Sequence, residues 1–306
     1  MITWHDILRS SGNVILVLLL APFFQGVLRK ITAIVQSRRG PPLFQPYFDL
    51  LKLLGKEDIE SGETPGFQRF AAYLALATAL SLVCLVPLGS RAPCGGAGDA
   101  ILLIYLLTLS GVATLLAGLA AGSTYSLLGI SREMMMIMTL EPLFALAVII
   151  GAVHTHSLRL DIVLSGSVYA TRGLSWSGLV MLLVMLFSFQ AFAQRVPFDL
   201  AEAETELMEG PLSEYSGPKL ALFKYAQMVR LMVHGALFVG LFLPWGSDWA
   251  FPASWLLFWA KMSALVLLVT LVAATHARYR IDQAIRYFAG LMAVAGLALV
   301  LATLGF

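Results

Sequence analysis

The chain reads as long apolar runs separated by short polar segments. A helical crossing of hydrocarbon needs about 20 apolar residues, and eight runs come close to that length. They cover roughly Gly12–Leu28, Phe67–Leu88, Ala100–Ala121, Glu133–His154, Trp176–Gln194, Val229–Pro244, Ala253–His276 and Tyr287–Leu304. Lipid offers the backbone no hydrogen-bond partners, so each run is expected to be a helix. Strands of a membrane barrel would alternate polar and apolar positions, and these runs do not. The expected fold is an all-α polytopic membrane protein of about eight transmembrane helices, one transmembrane domain over 1–306. There is no internal repeat, low-complexity segment or soluble domain. The first run follows Arg9, which superficially suits a signal peptide. Gln25, Gly26, Arg29 and Lys30 come next without a small-x-small cleavage site, so a retained first helix is expected.

Composition agrees. The chain is 59% hydrophobic and 12% charged, with a mean hydropathy of +0.83, against about 25% charge in soluble domains. The net charge of +2 forms no basic tail or stripe, so nucleic acid is not expected. Cys84 and Cys94 are too few for a disulfide framework or a metal cluster.

The placement of charge changes the picture more than its total. Fifteen of the 20 Lys and Arg lie in or beside the connections between runs 1–2, 3–4, 5–6 and 7–8. Arg9, Arg91, Arg159 and Arg172 lie on the opposite side, and Lys261 falls inside the seventh run. By the positive-inside rule, the termini are expected outside. The connections of about 29–66 and 195–228 are then cytoplasmic, in a multi-pass protein of the cell inner membrane.

The first of these connections reads SRRGPPLFQPYFDLLKLLGKE. Gly40, Pro41 and Pro42 predict a rigid turn, and Pro46 is placed to open a helix. Tyr47, Phe48, Leu50, Leu51 and Leu54 make a broad apolar face opposite Asp49, Lys52 and Lys56. That is a short amphipathic interfacial helix. Arg38 and Arg39 read either as ordinary positive-inside anchors or as groups facing a partner or an anionic cavity.

The second reads RVPFDLAEAETELMEGPLSEYSG. Asp199 and Glu202 suit a capping box. At helical spacing Asp199, Glu202, Glu206 and Glu209 make one stripe, with Glu204 elsewhere. A solvated acidic helix is the plain alternative. Phe198, Leu200, Leu207 and Met208 interleave with the acids and argue for partial burial. Like charges in such a site raise one another's pKa and titrate together, as a proton relay requires.

Ionisable groups inside the runs are functional candidates by default. Glu133 and Glu141 are eight residues apart, about 12 Å of rise on nearly one helix face. Glu133 also suits a helix N-terminus, and Lys261 equally suits snorkelling. His154 and His156 diverge on a helix and predict no metal site; His234 is the histidine that merits a test.

Together the two connections resemble signatures of the family that contains chain 1 of respiratory complex I, the NADH–quinone oxidoreductase, and its homologues in membrane-bound group 4 [NiFe] hydrogenases. The resemblance runs over essentially the whole chain, and PFDLAEAE…EL…G…EYSG is its specific core. The wording GPLSEYSG, a first connection lacking a Val-Gly-Pro-like segment, and the short chain place it nearer the formate hydrogenlyase and hydrogenase-4 branch. The resemblance implies an anchor for a cytoplasmic electron-transfer arm, with acids that begin a proton path toward antiporter-like subunits. Asp199, Glu202, Glu204, Glu206 and Glu141 match those acids; Glu209 stands where complex I versions often carry a small residue. Arg38, Arg39, Asp49 and Lys52 match the arm-facing connection. Arg195, Glu214, Tyr215 and Lys219 go with the docking surface or cavity.

The resulting expectation is a non-catalytic membrane anchor that couples a hydrogenase-like arm to proton or sodium translocation. Its relay would use Glu133, Glu141, Asp199, Glu202, Glu204, Glu206, Glu209 and Lys261. The chain has neither the cysteines nor the histidine set to ligate a redox centre. The [NiFe] site and iron–sulfur clusters are therefore expected in partners: the large and small subunits of a hydrogenase and an iron–sulfur subunit, beside antiporter-like membrane subunits and the lipid bilayer. The alternatives are the quinone-cavity subunit of an NADH–quinone oxidoreductase and a purely structural anchor. An independent transporter is weaker, because no pair of broken helices is evident.

Overall fold

A computed structural model describes the chain apart from residues 1–3, 60–63, 90–91, 93, 95, 97, 166–174, 203, 248 and 306, and apart from the side chains of 5–7 and 204–205. Arg91 and Arg172 therefore lie outside the described residues, as does the side chain of Glu204. The helices are α1 (Trp4–Val35), α2 (Gln45–Leu54), α3 (Pro65–Leu85), α4 (Ala100–Ala121), α5 (Thr124–Thr155), α6 (Leu160–Val163), α7 (Trp176–Phe192), α8 (Glu204–Leu207), α9 (Gly217–Phe242), α10 (Ala253–Thr275) and α11 (Ile281–Thr303). Seven are long and apolar enough to cross a membrane, and α7, with 17 residues, is a shorter apolar helix. An isolated bridge between Asp99 and Arg159 is the sole β-pairing among the described residues. The protein is all-helical and multi-pass, as its apolar runs predict.

Three helices start well before their apolar runs, α1 at Trp4 rather than Gly12 among them. The α5 helix opens at Thr124, where the Ser123 side chain accepts from the Ser126 N–H at 3.2 Å, a standard N-cap. Its 32 residues make about 48 Å of helix, longer than the hydrocarbon layer. The α9 helix opens at Gly217 with Pro218 in its first turn. Lys219, Lys224 and Arg230 break the hydropathy of that first half without breaking the helix.

The α9 helix is also the most enclosed, with 78% of its apolar window buried. It packs on α1, α2, α3, α7 and α10, while α5 packs on α4, α7 and α11. Small residues allow close approach between spans, as in other membrane bundles. The α3 helix buries Ala71, Ala72, Ala75 and Ala79, and α4 buries Ser110, Gly111, Ala113, Thr114, Ala117, Gly118 and Ala121.

The α2 helix carries three stripes rather than two. Pro46 and Leu50 are buried, with Leu53 beside them, against the bundle. Phe48, Leu51 and Leu54 are exposed, together with Phe44 just before the helix. Between these faces Asp49 accepts from Arg29 at 2.8 Å and from Gln45 at 3.0 Å. A helix with one apolar face on protein, a second turned outward and a polar stripe between suits the membrane interface. All six tryptophans gather at the opposite end of the bundle. Trp4 and Trp176 sit at the starts of α1 and α7, Trp245 and Trp249 follow α9, and Trp255 and Trp259 open α10.

The acidic segment is not the helical stripe the spacing suggests. Among its described residues only Glu204–Leu207 is α-helical, followed by a 3-10 turn at Gly210–Leu212. Pro197 and Pro211 remove donors. Gly210, at φ +55°, lets the turn press onto the Ala201 carbonyl. The turn then docks on α5 at Gly129, where an added Cβ would stand 2.7 Å from Pro211 Cδ and 2.9 Å from Gly210 Cα. We expect Gly129→Ala to lift this turn and destabilise the chain by about 1–3 kcal/mol. Thermal unfolding in detergent and the rate of proteolytic cleavage within 201–216 measure both effects; a variant that melts and resists protease like wild type would contradict the fit.

Candidate functional site

The acids are organised by a cavity of about 240 Å³ lined by α1, α4, α5, α7, α9 and the acidic segment. Glu133 and Glu141 enter it from α5, and Asp199, Glu202 and Glu209 from the segment. Gln25, Arg29, Ser110, Gln194, Arg195, Lys224, Gln227, Arg230 and His234 supply the rest of its polar lining. It is continuous from the segment to the middle of α5, so the two acid groups that the sequence leaves separate share one space.

Four of these five acids have a polar partner of their own. Glu133, 6% exposed, accepts from Gln194 Nε2 at 3.0 Å. The Gln194 oxygen in turn accepts from Arg230 Nη2 at 3.4 Å. Glu202 accepts from Gln227, and Asp199 from Arg278 at 3.0 Å. Glu209 pairs with Lys224 at 3.1 Å on the rim. Arg195 turns to Gln25 Oε1 at 2.5 Å. The carboxylate of Glu141 lies over Gly111 of α4, whose missing side chain makes the room. Beside it His234 stacks on Phe192 at 5.4 Å, and its Nδ1 lies 2.9 Å from the Arg230 carbonyl. A carbonyl only accepts, so Nδ1 carries a proton and donates there.

Other expected site residues are placed elsewhere. Glu206 is half-exposed on Arg132 at 2.6 Å; that hydrogen bond and the guanidinium charge hold it below the usual carboxylate range. Lys261 donates to the carbonyls of Leu243 and Trp245 at the end of α9, away from the cavity, and so satisfies a helix terminus. Tyr215, expected near the docking surface, is turned inward and donates to the Ala117 carbonyl at 2.8 Å. Lys219 is buried on Asp58 at 3.2 Å, tying the first connection to α9. Arg38, Arg39, Lys52 and Glu214 remain exposed at the end of the bundle that carries the acidic segment. Gln194, Gln227, Arg230 and Arg278 were not expected in the site. Gln227, Arg230 and His234 follow the i, i+3, i+7 spacing of one helix face, a signal readable once α9 is known to start at Gly217. No three metal-ligating side chains gather among the described residues.

These features define a polytopic membrane protein with a buried acid–base cavity. The family model described as NADH dehydrogenase matches residues 11–304, and the chain belongs to that family. It is 33% identical over 276 residues to Hydrogenase-4 component C of Escherichia coli K12, covering 89% of this chain and 86% of that protein. Formate hydrogenlyase subunit 4 of the same organism is 33% identical over 270 residues, 86% and 87% of the two chains. NADH-ubiquinone oxidoreductase chain 1 of Paracentrotus lividus is 32% identical over 287 residues, 90% and 88% of the two. Among solved structures, a chain of the membrane-bound sulfane sulfur reductase, an archaeal respiratory membrane complex, superposes with a TM-score of 0.87 at 25% identity, over 97% of this chain and 99% of that one.

Glu202 is the loop acid with the most perturbed surroundings. Burial first, then the negative charges of Asp199 and Glu133, push its pKa up to about 7; Arg195 and the Gln227 hydrogen bond oppose the rise. A folded pKa above the unfolded value costs stability once the pH passes the unfolded pKa, and the cost is complete above the folded one. Glu202→Gln removes that cost. The variant is expected to unfold at higher temperature than wild type at pH 8, by up to about 3 kcal/mol, and to converge with it near pH 4, below both pKa values. Equal stabilities at both pH values would show that Glu202 is not held in this state.

Proposed function

We propose that this chain is the membrane-anchor and energy-coupling subunit of a multisubunit, membrane-bound [NiFe] hydrogenase of the formate hydrogenlyase type. The observation that carries the reading is the single cavity that joins Asp199 and Glu202 of the acidic segment to Glu133 and Glu141 inside the bundle. Groups that share one buried space and carry like charges exchange protons in response to small changes in field. A partner docked on the segment could supply such a change. Protons, or sodium ions on the same carboxylates, would then pass from Glu202 to Glu133 and Glu141, toward a neighbouring antiporter-like subunit.

The placement of charge supports the docking side. Fifteen of the 20 Lys and Arg sit in or beside the connections at one end, which we take as cytoplasmic with both termini outside. The exposed Arg38, Arg39 and Lys52 there, with Glu214, offer a polar surface to the arm. The tryptophans collect at the other end, where we place the outer membrane interface. Named relatives from hydrogenase, formate hydrogenlyase and NADH-ubiquinone oxidoreductase systems support a membrane subunit that serves different redox arms, with the redox centres in the partners.

On this reading the path runs through Glu133, Glu141 and Glu202, which line the cavity, and leaves out Glu206, held on Arg132, and Lys261, held on the α9 terminus. In the assembled complex, Glu→Gln at 133, 141 or 202 is expected to lower ion translocation per H₂ several-fold while leaving assembly and hydrogenase turnover intact. Glu206→Gln and Lys261→Gln should translocate like wild type. Normal translocation at normal hydrogenase activity in all three cavity variants would leave a purely structural anchor.

A further inference from the structure

The contact between the acid and the base at the centre of the cavity is indirect. Glu133 and Arg230 face the same space, yet among the described residues they form no ion pair. Gln194 stands between them, its amide nitrogen 3.0 Å from Glu133 Oε1 and its oxygen 3.4 Å from Arg230 Nη2. An amide is suited to that place: its NH₂ only donates and its oxygen only accepts, so it satisfies a carboxylate and a guanidinium at once without carrying charge. The backbone fixes it there. Gln194 adopts φ +51° in the turn that closes α7, and the Arg195 N–H returns to the Gln190 carbonyl.

We propose that Gln194 is a positioning residue whose task is to keep Glu133 and Arg230 apart. A direct bidentate pair would be short and strong in so buried a site, and would hold Glu133 as a carboxylate that no longer exchanges protons. With the amide interposed, Glu133 keeps one neutral hydrogen bond. It then responds to the other charges facing it: Arg230 from α9, Asp199 and Glu202 from the acidic segment, and Glu141 from its own helix. The guanidinium is long and flexible enough to close the gap if the amide is removed. The spacer role rests on the geometry alone; its consequence for translocation rests on the reading of the cavity as a relay.

The experiment is infrared difference spectroscopy of the whole purified complex across about pH 5–9, the range in which perturbed carboxyls titrate. The protonated-carboxyl band of Glu133 is assigned by its absence in Glu133→Gln. Gln194→Ala is expected to abolish that band across the range and to lower translocation several-fold, and Gln194→Ser, small but polar, to do the same. The double variant Gln194→Ala with Arg230→Met is expected to restore the band, which a general packing defect would not allow. A band unchanged in Gln194→Ala, or one that stays absent in the double variant, overturns the proposal. Loss and rescue of the band with translocation unaffected would uphold the spacer and sink the relay.

Discussion

A carboxylate inside a helix bundle survives only if the protein surrounds it with polarity. The bare cost of moving an ion into such a medium runs to tens of kcal/mol, and real proteins meet it by pairing, hydrogen bonding or protonation. Most of the unusual architecture here follows from placing Glu133 and Glu141 on α5. Neighbouring helices cannot supply enough polar groups without losing their own lipid compatibility. The chain instead folds a polar connection back into the bundle, and the segment 195–212 brings Arg195, Asp199 and Glu202 to the buried acids. The first half of α9 contributes Gln227, Arg230 and His234 from the other side.

That solution constrains the backbone. A regular helix through 199–209 would put four acids on one stripe, facing one another across single turns, with mutual repulsion and no room for partners. The observed turns fan them out instead. Asp199 reaches Arg278 beyond α10, Glu202 reaches Gln227 on α9, Glu206 reaches Arg132 on α5, and Glu209 reaches Lys224. Phe198, packed among Tyr279, Tyr287 and Phe288 at 4.9–5.4 Å, anchors the start of the segment in apolar surroundings. Gly129 and Gly210 leave room for its end. The fan thus depends on small residues and aromatics as much as on charge.

The helices were legible because lipid imposes one rule on every backbone group, and hydropathy reports it directly. The start of α9 failed for a related reason. Lys219, Lys224 and Arg230 lower the hydropathy of α9, so residues 217–228 read as loop, although charge facing a protein interior is compatible with a helix. The same error hid the site, since Gln227, Arg230 and His234 share a face only when that half is helical. Glu133, Glu141 and Glu202 could be found because ionisable groups near apolar runs stand out. Gln194 could not, because an uncharged amide at the end of a run carries no signal until its two partners are known. Arg278 likewise reads as a positive-inside anchor until its distance to Asp199 is measured.

The relatives bear on which part of the assembly decides the chemistry. Proteins named for hydrogenase, formate hydrogenlyase, NADH-ubiquinone oxidoreductase and sulfane sulfur reductase systems match nearly the whole of this chain. The systems those names describe differ, so a part shared over nearly the whole chain is not expected to be specific to any one of them. A buried cluster of carboxylates bridged by neutral amides fits that requirement, because it reacts to field and proton activity and not to the identity of a substrate. Its sensitivity is set by how far each acid is held from its nearest cation. A direct ion pair at each position would give a rigid, stable bundle with fixed charges. Gln194 instead gives Glu133, and Gln227 gives Glu202, a neutral hydrogen bond; on the proposed reading that gives up part of the stability and leaves both acids able to change protonation state, a trade consistent with the general cost of function in buried polar networks.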